Sequence, residues 1–237
     1  MSELRGIIPI VYTPFDARGE IIVADVRRLV DYLIAAGAHG LAAVGGASEA
    51  FKLTLDERRG LAELVVEQTA GRVPIIVGVS AVNTADAAAL ARHAAHLGAS
   101  AVFATPPLYG PAPPRALHYH FAAIAEAGVP VMVQDAEVSV PPEQIARLAE
   151  AIPGVRFAKE EAPLESGHRV SAIRRLTGDR VAVFSGGSYL LDDLARGAVG
   201  AIPGSIGVAD LARAYELWHA GDTAGARRAF DHFTPLA

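Results

Sequence analysis

The chain has 237 residues, of which 51% are hydrophobic, and a formal net charge of -5. This length allows one large α/β domain or two smaller ones, and the acidic balance provides no basic surface for nucleic acid or anionic membranes. The absence of cysteine excludes disulfides, thiolate metal sites and cysteine nucleophiles. No apolar run reaches the roughly 18 residues of a membrane span. We therefore expect a cytoplasmic protein with neither a nucleic-acid partner nor a membrane partner.

Short apolar segments alternate along the chain with longer segments whose apolar residues recur at helical spacing. The eight predicted strands are 6–13, 40–44, 73–80, 100–106, 129–135, 155–161, 181–187 and 200–206. The predicted helices are 23–37, 54–71, 83–98, 113–128, 141–152, 167–178, 190–198 and 208–230. Each strand is thus followed by one helix.

The strands are apolar almost throughout, which indicates a parallel sheet with both faces covered by helices. Eight β/α units in this length predict an α/β fold, a single (β/α)8 TIM barrel that spans residues 1–237 as one domain. A doubly wound sheet is the alternative, but Thr13-Pro14-Phe15 is not the glycine-rich turn of a dinucleotide site. The chain is expected to end directly after the eighth helix.

Lys159 lies at the end of the sixth predicted strand, and Lys52 is the only other lysine among 21 basic residues. Active sites of such barrels lie at the carboxyl ends of the strands. Desolvation lowers the pKa of a lysine amine, which can then attack a ketone and form a Schiff base. The iminium withdraws electrons from the neighbouring carbon, which permits carbon–carbon cleavage or loss of a β-hydroxyl. The alternative is a solvated lysine at a strand end.

Glycine-rich segments follow three of the predicted strands, at 45–49, 185–188 and 203–207. Their backbone N–H groups could bind a carboxylate or a phosphate, or the glycines could simply make tight turns. Because the last two loops are the common phosphate site of these barrels, a phosphate ligand competes with a carboxylate.

Seven collinear segments, spread along essentially the whole chain, resemble the dihydrodipicolinate synthase/N-acetylneuraminate lyase family. They are GIIPIVYTPFDARGEI (6–21), VGGASEAFKLTLDER (44–58), ATPPLYGP (104–111), FAKEE (157–161), FSGGS (184–188), GAVGAIPGSIGV (197–208) and the AGD pattern at 220–226. The resemblance implies a class I aldolase-like lyase, an aldolase or a dehydratase. It would act without metal or cofactor on a 2-oxo acid, such as pyruvate or a 2-keto-3-deoxy sugar acid.

The resemblance also implies roles for individual residues. Lys159 would carry the Schiff base, and Tyr109 matches a tyrosine that reaches the proton relay of the neighbouring subunit, so we expect a homo-oligomer, a dimer or a tetramer. The residues expected to bind the substrate are Gly46, Ala47, Ser48, Gly186 and Ile202. Of these, Ala47 and Ser48 would hold its carboxylate, mainly through backbone N–H groups.

Several positions depart from the family pattern. Gln134 stands where the family has its relay tyrosine, and an amide cannot shuttle protons as a phenol does. Gly46 and Ala47 replace a threonine pair, and the arginine that synthase members use for their second substrate would align near Ser139. Most of the family's C-terminal helical extension is not represented. We therefore predict a lyase other than the synthase itself.

Proton transfer must then fall to another group. The candidates are Tyr109, Ser48, or a water held by Gln134 together with Asp135 or Glu49; Glu137 also follows the fifth strand. Of the adjacent pair Glu160 and Glu161, one is expected to point outward or to pair with an arginine. Two other functions stay open: a 2-oxo acid or sugar-acid binding barrel that has lost turnover, and a phosphate-handling barrel isomerase.

Overall fold

The computed structural model describes residues 4–107, 112–136, 139–161 and 166–234. In these ranges, eight strands alternate with α-helices, and each strand lies within a predicted segment. The strands are β1 (Gly6–Ile7), β2 (Leu41–Ala43), β3 (Ile75–Gly78), β4 (Ala101–Ala104), β5 (Val131–Asp135), β6 (Val155–Glu160), β7 (Ala182–Ser185) and β8 (Gly200–Ala201).

The helices also follow the predicted order. They are α1 (Val23–Ala35), α2 (Leu55–Thr69), α3 (Thr84–His96), α4 (Pro114–Ala125), α5 (Pro142–Ala151), α6 (Ser166–Thr177), α7 (Leu190–Ala195), α8 (Val208–His219) and α9 (Thr223–Phe233), with short 3-10 helices at Gly46–Ser48, Ala50–Lys52 and Gly178–Arg180. Within the described ranges, no helix is long and apolar enough to span a membrane.

The strands form one parallel sheet in the order β1-β8-β7-β6-β5-β4-β3-β2. Backbone hydrogen bonds close this sheet on itself: Val11 N–H donates to the Ala42 carbonyl at 2.8 Å, and Ala42 N–H donates to the Pro9 carbonyl at 2.9 Å. The two ends of the sheet are therefore joined. This closure confirms the predicted (β/α)8 barrel.

Two apolar clusters divide the core. One fills the interior of the barrel and includes Phe103, Met132 and Phe184, and the other lies between the barrel and its helices. Successive side chains of a strand point to opposite faces of the sheet. On β6, Phe157 packs against the interior cluster and Ala158 belongs to the outer one. The alternation therefore turns Lys159 inward and Glu160 outward.

The last predicted helix, 208–230, is two helices, so the prediction of one continuous helix there was wrong. Gly221 has a φ of 83°, a left-handed conformation that ends α8. The Asp222 side chain then accepts a hydrogen bond from Gly225 N–H at 2.8 Å and begins α9. A Gly-Asp pair between two apolar periodic segments is the sequence signal for this break.

Candidate active site

Lys159 lies inside the barrel at the carboxyl end of β6. Its side chain is 1% exposed, and its Nζ lies 2.9 Å from Oε1 of Glu161. Gln134 pairs with Lys159 in the register between β5 and β6. Since Met132 belongs to the interior cluster, strand alternation also turns Gln134 into the barrel. The structure thus brings together two of the predicted catalytic residues.

Glu161 completes this group. Its Oε2 accepts a hydrogen bond from Gln134 Nε2 at 2.6 Å, while Oε1 contacts the lysine. The Glu161 side chain is 29% exposed, in contrast to the buried Lys159. A carboxylate within hydrogen-bond reach of an amine can take up and return its protons, or those of a molecule bound to it. The arrangement can therefore supply a nucleophile, Lys159, and an adjacent general base, Glu161.

Sequence reasoning did not assign Glu161 to the site, although a signal was present. Residues 157, 159 and 161 alternate, so they share one face of the strand. The prediction that one of the two adjacent glutamates pairs with an arginine is confirmed for Glu160, which contacts Arg169 at 2.9 Å. Glu160 belongs to the outer face and Glu161 to the inner.

Gly186, predicted to lie beside the substrate, follows β7. Its N–H donates to the Glu160 carbonyl at 2.9 Å. A Cβ at this position would lie 3.1 Å from Cγ of Glu161, closer than most such contacts. Glycine therefore leaves the space that the Glu161 side chain requires.

The loop around Gly186 is supported from the outer face. Ser185 Oγ accepts a hydrogen bond from Gly187 N–H at 3.0 Å. This hydrogen bond holds the backbone of the loop directly after β7.

The predicted carboxylate-binding residues form a 3-10 turn after β2. Ser48 is buried in this turn; its hydroxyl donates to the Val11 carbonyl at 2.6 Å and accepts from Gly45 N–H at 3.1 Å. Its own N–H donates to the Gly45 carbonyl at 3.0 Å. The hydroxyl proton is already engaged, so Ser48 holds the turn and is poorly placed as a proton carrier. Gly46 and Ala47 precede it in the turn.

Two of the predicted water-holding residues lie elsewhere. Asp135 faces away from the barrel interior, is 1% exposed, and binds the Arg169 guanidinium and Val140 N–H. That expectation was wrong because Asp135 follows Gln134 and therefore has the opposite orientation. Glu49 contacts Lys52 Nζ at 2.5 Å and stays near the rim.

Of the remaining predicted residues, one lies in the barrel interior and two lie outside the described ranges. Ile202 is buried in the interior apolar cluster, where it can supply an apolar wall. Tyr109 and Glu137 lie outside the described residues, so their roles stay predictions. In the described part of the chain, no group of three or more His, Asp or Glu side chains is arranged to hold a metal ion.

Known proteins share this barrel and align with most of the length of this chain. Residues 3–237 match the model of the dihydrodipicolinate synthetase family. The chain belongs to this family. The match confirms the predicted family, and with it a barrel lyase of the aldolase and dehydratase type.

Individual members of the dihydrodipicolinate synthetase family match over almost the entire chain. An L-2-keto-3-deoxyarabonate dehydratase of Azospirillum brasilense is 35% identical in an alignment 242 positions long that covers 98% of this chain and 78% of that protein. A 4-hydroxy-tetrahydrodipicolinate synthase of Rhizobium meliloti is 35% identical in an alignment 240 positions long that covers 98% of this chain and 81% of that protein. The structure of YagE from E. coli K12, solved in complex with pyruvate, has a TM-score of 0.91 at 25% identity and covers 96% of this chain and 79% of that one.

Proposed function

We propose that this protein is a dehydratase that binds a 2-keto-3-deoxy sugar acid as a Schiff base on Lys159, with Glu161 as its proton carrier. One observation carries the proposal: the Glu161 carboxylate contacts both Lys159 Nζ, at 2.9 Å, and Gln134 Nε2, at 2.6 Å. Gln134 occupies the position of the family's relay tyrosine. The Glu161 carboxylate, next to Gln134, would therefore take over proton transfer from the tyrosine that this chain lacks.

The first step is imine formation. The Lys159 ammonium group gives a proton to Glu161, and the amine attacks the C2 ketone carbon of the substrate. Glu161 passes this proton to the C2 oxygen and then relays a second proton from Nζ, so that the oxygen leaves as water and an iminium forms. Burial of Lys159 limits water around the iminium, and Gln134 holds the Glu161 carboxylate toward the amine through its Nε2 hydrogen bond.

The second step is elimination. Glu161 removes a proton from C3. The electron pair of that C–H bond forms the C2–C3 double bond and the C2–N π pair moves onto nitrogen, which gives an enamine. The enamine expels the hydroxyl on C4, which takes the proton from Glu161 and leaves as water. Hydrolysis of the unsaturated iminium releases the product and restores the Lys159 amine. One carboxylate is enough for these transfers because it gives back the proton that it takes.

Substrate binding is proposed to use the turn after β2. The family resemblance implies Ala47 and Ser48 at the substrate carboxylate. Ala47 would bind it through its backbone N–H group, beside Gly46, since Ser48 N–H donates to the Gly45 carbonyl at 3.0 Å. Gly186 and Ile202 would border the carbon chain. Similarity to the dehydratase of Azospirillum brasilense supports a keto-deoxy sugar acid over a synthase substrate, as does Ser139 near the position of the synthase arginine.

We also propose that the protein is cytoplasmic, forms one domain over residues 1–237, and assembles as a homo-oligomer. The lack of cysteine and of a long apolar run supports the location, and the single closed barrel supports one domain. Tyr109 is proposed to contribute to the site across the subunit contact. Pyruvate is expected to bind as a truncated substrate.

A five-carbon 2-keto-3-deoxy acid tests this function, with carbon-13 NMR of the products as the measurement. Dehydration keeps all carbons in one product, whereas aldol cleavage gives pyruvate and a two-carbon aldehyde. We expect a five-carbon product. Accumulation of pyruvate would overturn the dehydratase proposal. A covalent substrate adduct without any product would instead favour a binding barrel without turnover.

A further inference from the structure

A buried group of charges lies directly behind the site, between the outer face of the barrel and α6. Arg169 Nε donates to both carboxylate oxygens of Glu160, at 3.0 and 2.9 Å. Its Nη2 donates to the Asp135 carboxylate and, at 2.6 Å, to the Val140 carbonyl. Asp135 in turn accepts from Val140 N–H at 2.8 Å. One guanidinium thus joins β5, β6, α6 and the segment that leads into α5.

This group is linked to the site through chain connectivity. Asp135 immediately follows Gln134, and Glu160 lies between Lys159 and Glu161. Glu161 N–H donates to the Asp135 carbonyl at 3.1 Å, which extends the pairing of β5 and β6 beyond the strand ends. Each of the three inward-facing groups is therefore bonded to a residue that Arg169 holds from outside.

Burial and the neighbouring groups have opposite effects on the pKa of the Asp135 carboxyl group. Burial raises the pKa of Asp135, whereas the Val140 N–H bond, the Arg169 charge and hydrogen bonding with Glu160 lower it. The group of buried charges is costly to disturb, because a buried charge that loses its partner is poorly tolerated. The strand ends are consequently held in one arrangement.

We propose that Arg169 is a positioning residue for the Schiff-base site: by holding Asp135 and Glu160, it sets the contacts of Glu161 with Lys159 and Gln134. The inference rests on the proposed function of these three groups. Arg169 touches no substrate. Its effect is on the alignment of the proton-transferring carboxylate, and misplacement of a catalytic group by about 1 Å can lower a rate by about a hundredfold.

The test uses Arg169→Lys in the full chain, with pyruvate as the probe. A lysine keeps the positive charge but cannot reach Glu160, Asp135 and the Val140 carbonyl with one ammonium group. Two reactions are compared: borohydride trapping of the pyruvate imine, and exchange of the pyruvate methyl protons with D2O followed by NMR. Arg175→Lys is the matched control, because Arg175 is an exposed arginine of the same helix.

We expect Arg169→Lys to trap pyruvate within about twofold of the wild type, while methyl exchange falls about tenfold or more at saturating pyruvate. Arg175→Lys should change neither reaction. If Arg169→Lys does not fold, Arg169→Met combined with Glu160→Gln removes both charges of the pair and is measured in the same way, with the same expected separation of exchange from trapping.

Two results would overturn the inference alone: unchanged exchange in the folded variant, or trapping and exchange that fall by the same factor, as they would if part of the protein were unfolded. Failure of the proposed function is recognised separately, in the wild type. A wild-type protein that neither traps pyruvate nor exchanges its methyl protons would overturn the proposed function and this inference with it.

Discussion

The inner and outer faces of β5 and β6 both carry charged side chains, but in different surroundings. On the inner face, buried Lys159 meets Glu161, which is 29% exposed and can reach a bound molecule. On the outer face, Asp135 and Glu160 are each 1% exposed and are bound to Arg169. Both groups are ion pairs on neighbouring residues of the same strands. Only the inner group is accessible to a bound molecule. We therefore assign catalysis to the inner group and a structural role to the outer group.

This division follows from strand alternation. A shift of one residue in β6 would exchange Lys159 and Glu161 with Glu160, and would place the nucleophile against α6. Arg169 bonds to both outer carboxylates and therefore favours a single register. Support and reactivity can thus occupy adjacent positions in the sequence without interfering with each other.

The sharpest test of the comparison is a pair of identical substitutions on opposite faces, Glu161→Gln and Glu160→Gln. Loss of the inner carboxylate removes the proton carrier, so turnover of a five-carbon 2-keto-3-deoxy acid should fall by about 10² to 10³. Loss of the outer charge should leave turnover within about tenfold, but lower the free energy of unfolding by about 2 kcal/mol. Steady-state kinetics and urea unfolding of both variants check these values. Equal losses of turnover would remove the distinction between the faces.

A smaller effect is expected for Gln134→Leu, which has nearly the same volume. The variant removes the Nε2 hydrogen bond to Glu161 but keeps both the amine and the carboxylate. Turnover should fall by about tenfold, because the carboxylate is less well oriented, with little change in KM. Gln134→Asn serves as the comparison for an amide that is too short. A variant with wild-type turnover would show that Gln134 does not position Glu161.

The smallest effect on activity is expected at His120, a buried histidine on the outer side of the barrel whose Nδ1 lies 3.0 Å from Thr84 Oγ1. Burial lowers the pKa of His120 from 6.5 to about 4. As the pH falls, His120 therefore binds a proton in the unfolded chain at a higher pH than in the folded chain. Stability from the neutral ring is fully present above pH 6.5 and is lost toward pH 4, by up to about 3 kcal/mol.

Urea unfolding between pH 7 and pH 4 measures this loss. His120→Asn should lose stability less steeply than the wild type over this range, whereas the exposed His96→Asn should follow the wild-type slope. Turnover at neutral pH should not depend on the His120 ring charge. Parallel slopes for all three proteins would show that His120 is not the group responsible.

Much of this arrangement could be predicted from the sequence. Apolar runs and helical periodicity predicted the eight strands and the barrel. Lys159 could be assigned to the active-site end because it lies at the carboxyl end of a strand. Gln134 was recognised as a departure from the family pattern by its position in the fifth strand. These features depend on local composition and on connectivity.

The roles of the adjacent acidic residues could not be predicted in the same way. Choosing between Glu160 and Glu161, or between Gln134 and Asp135, requires knowing which face of the strand is inside, and two-residue periodicity counted from Lys159 would have settled that. The Arg169 contacts join residues 9 and 34 positions apart, so no local pattern reveals them. Ser48 looked like an available hydroxyl, but its proton is directed to the Val11 carbonyl.

Reduction of the imine tests the central claim most directly. The wild type and Lys159→Arg are incubated with pyruvate and borohydride, and the peptide that contains residue 159 is analysed by mass spectrometry. The arginine keeps a positive charge beside Glu161 but cannot form the imine. We predict that the wild-type peptide gains pyruvate less one water plus two hydrogens at Lys159, and that the variant gains nothing. A wild-type peptide without this adduct, or an equal adduct on the variant at another residue, would contradict Schiff-base chemistry at Lys159.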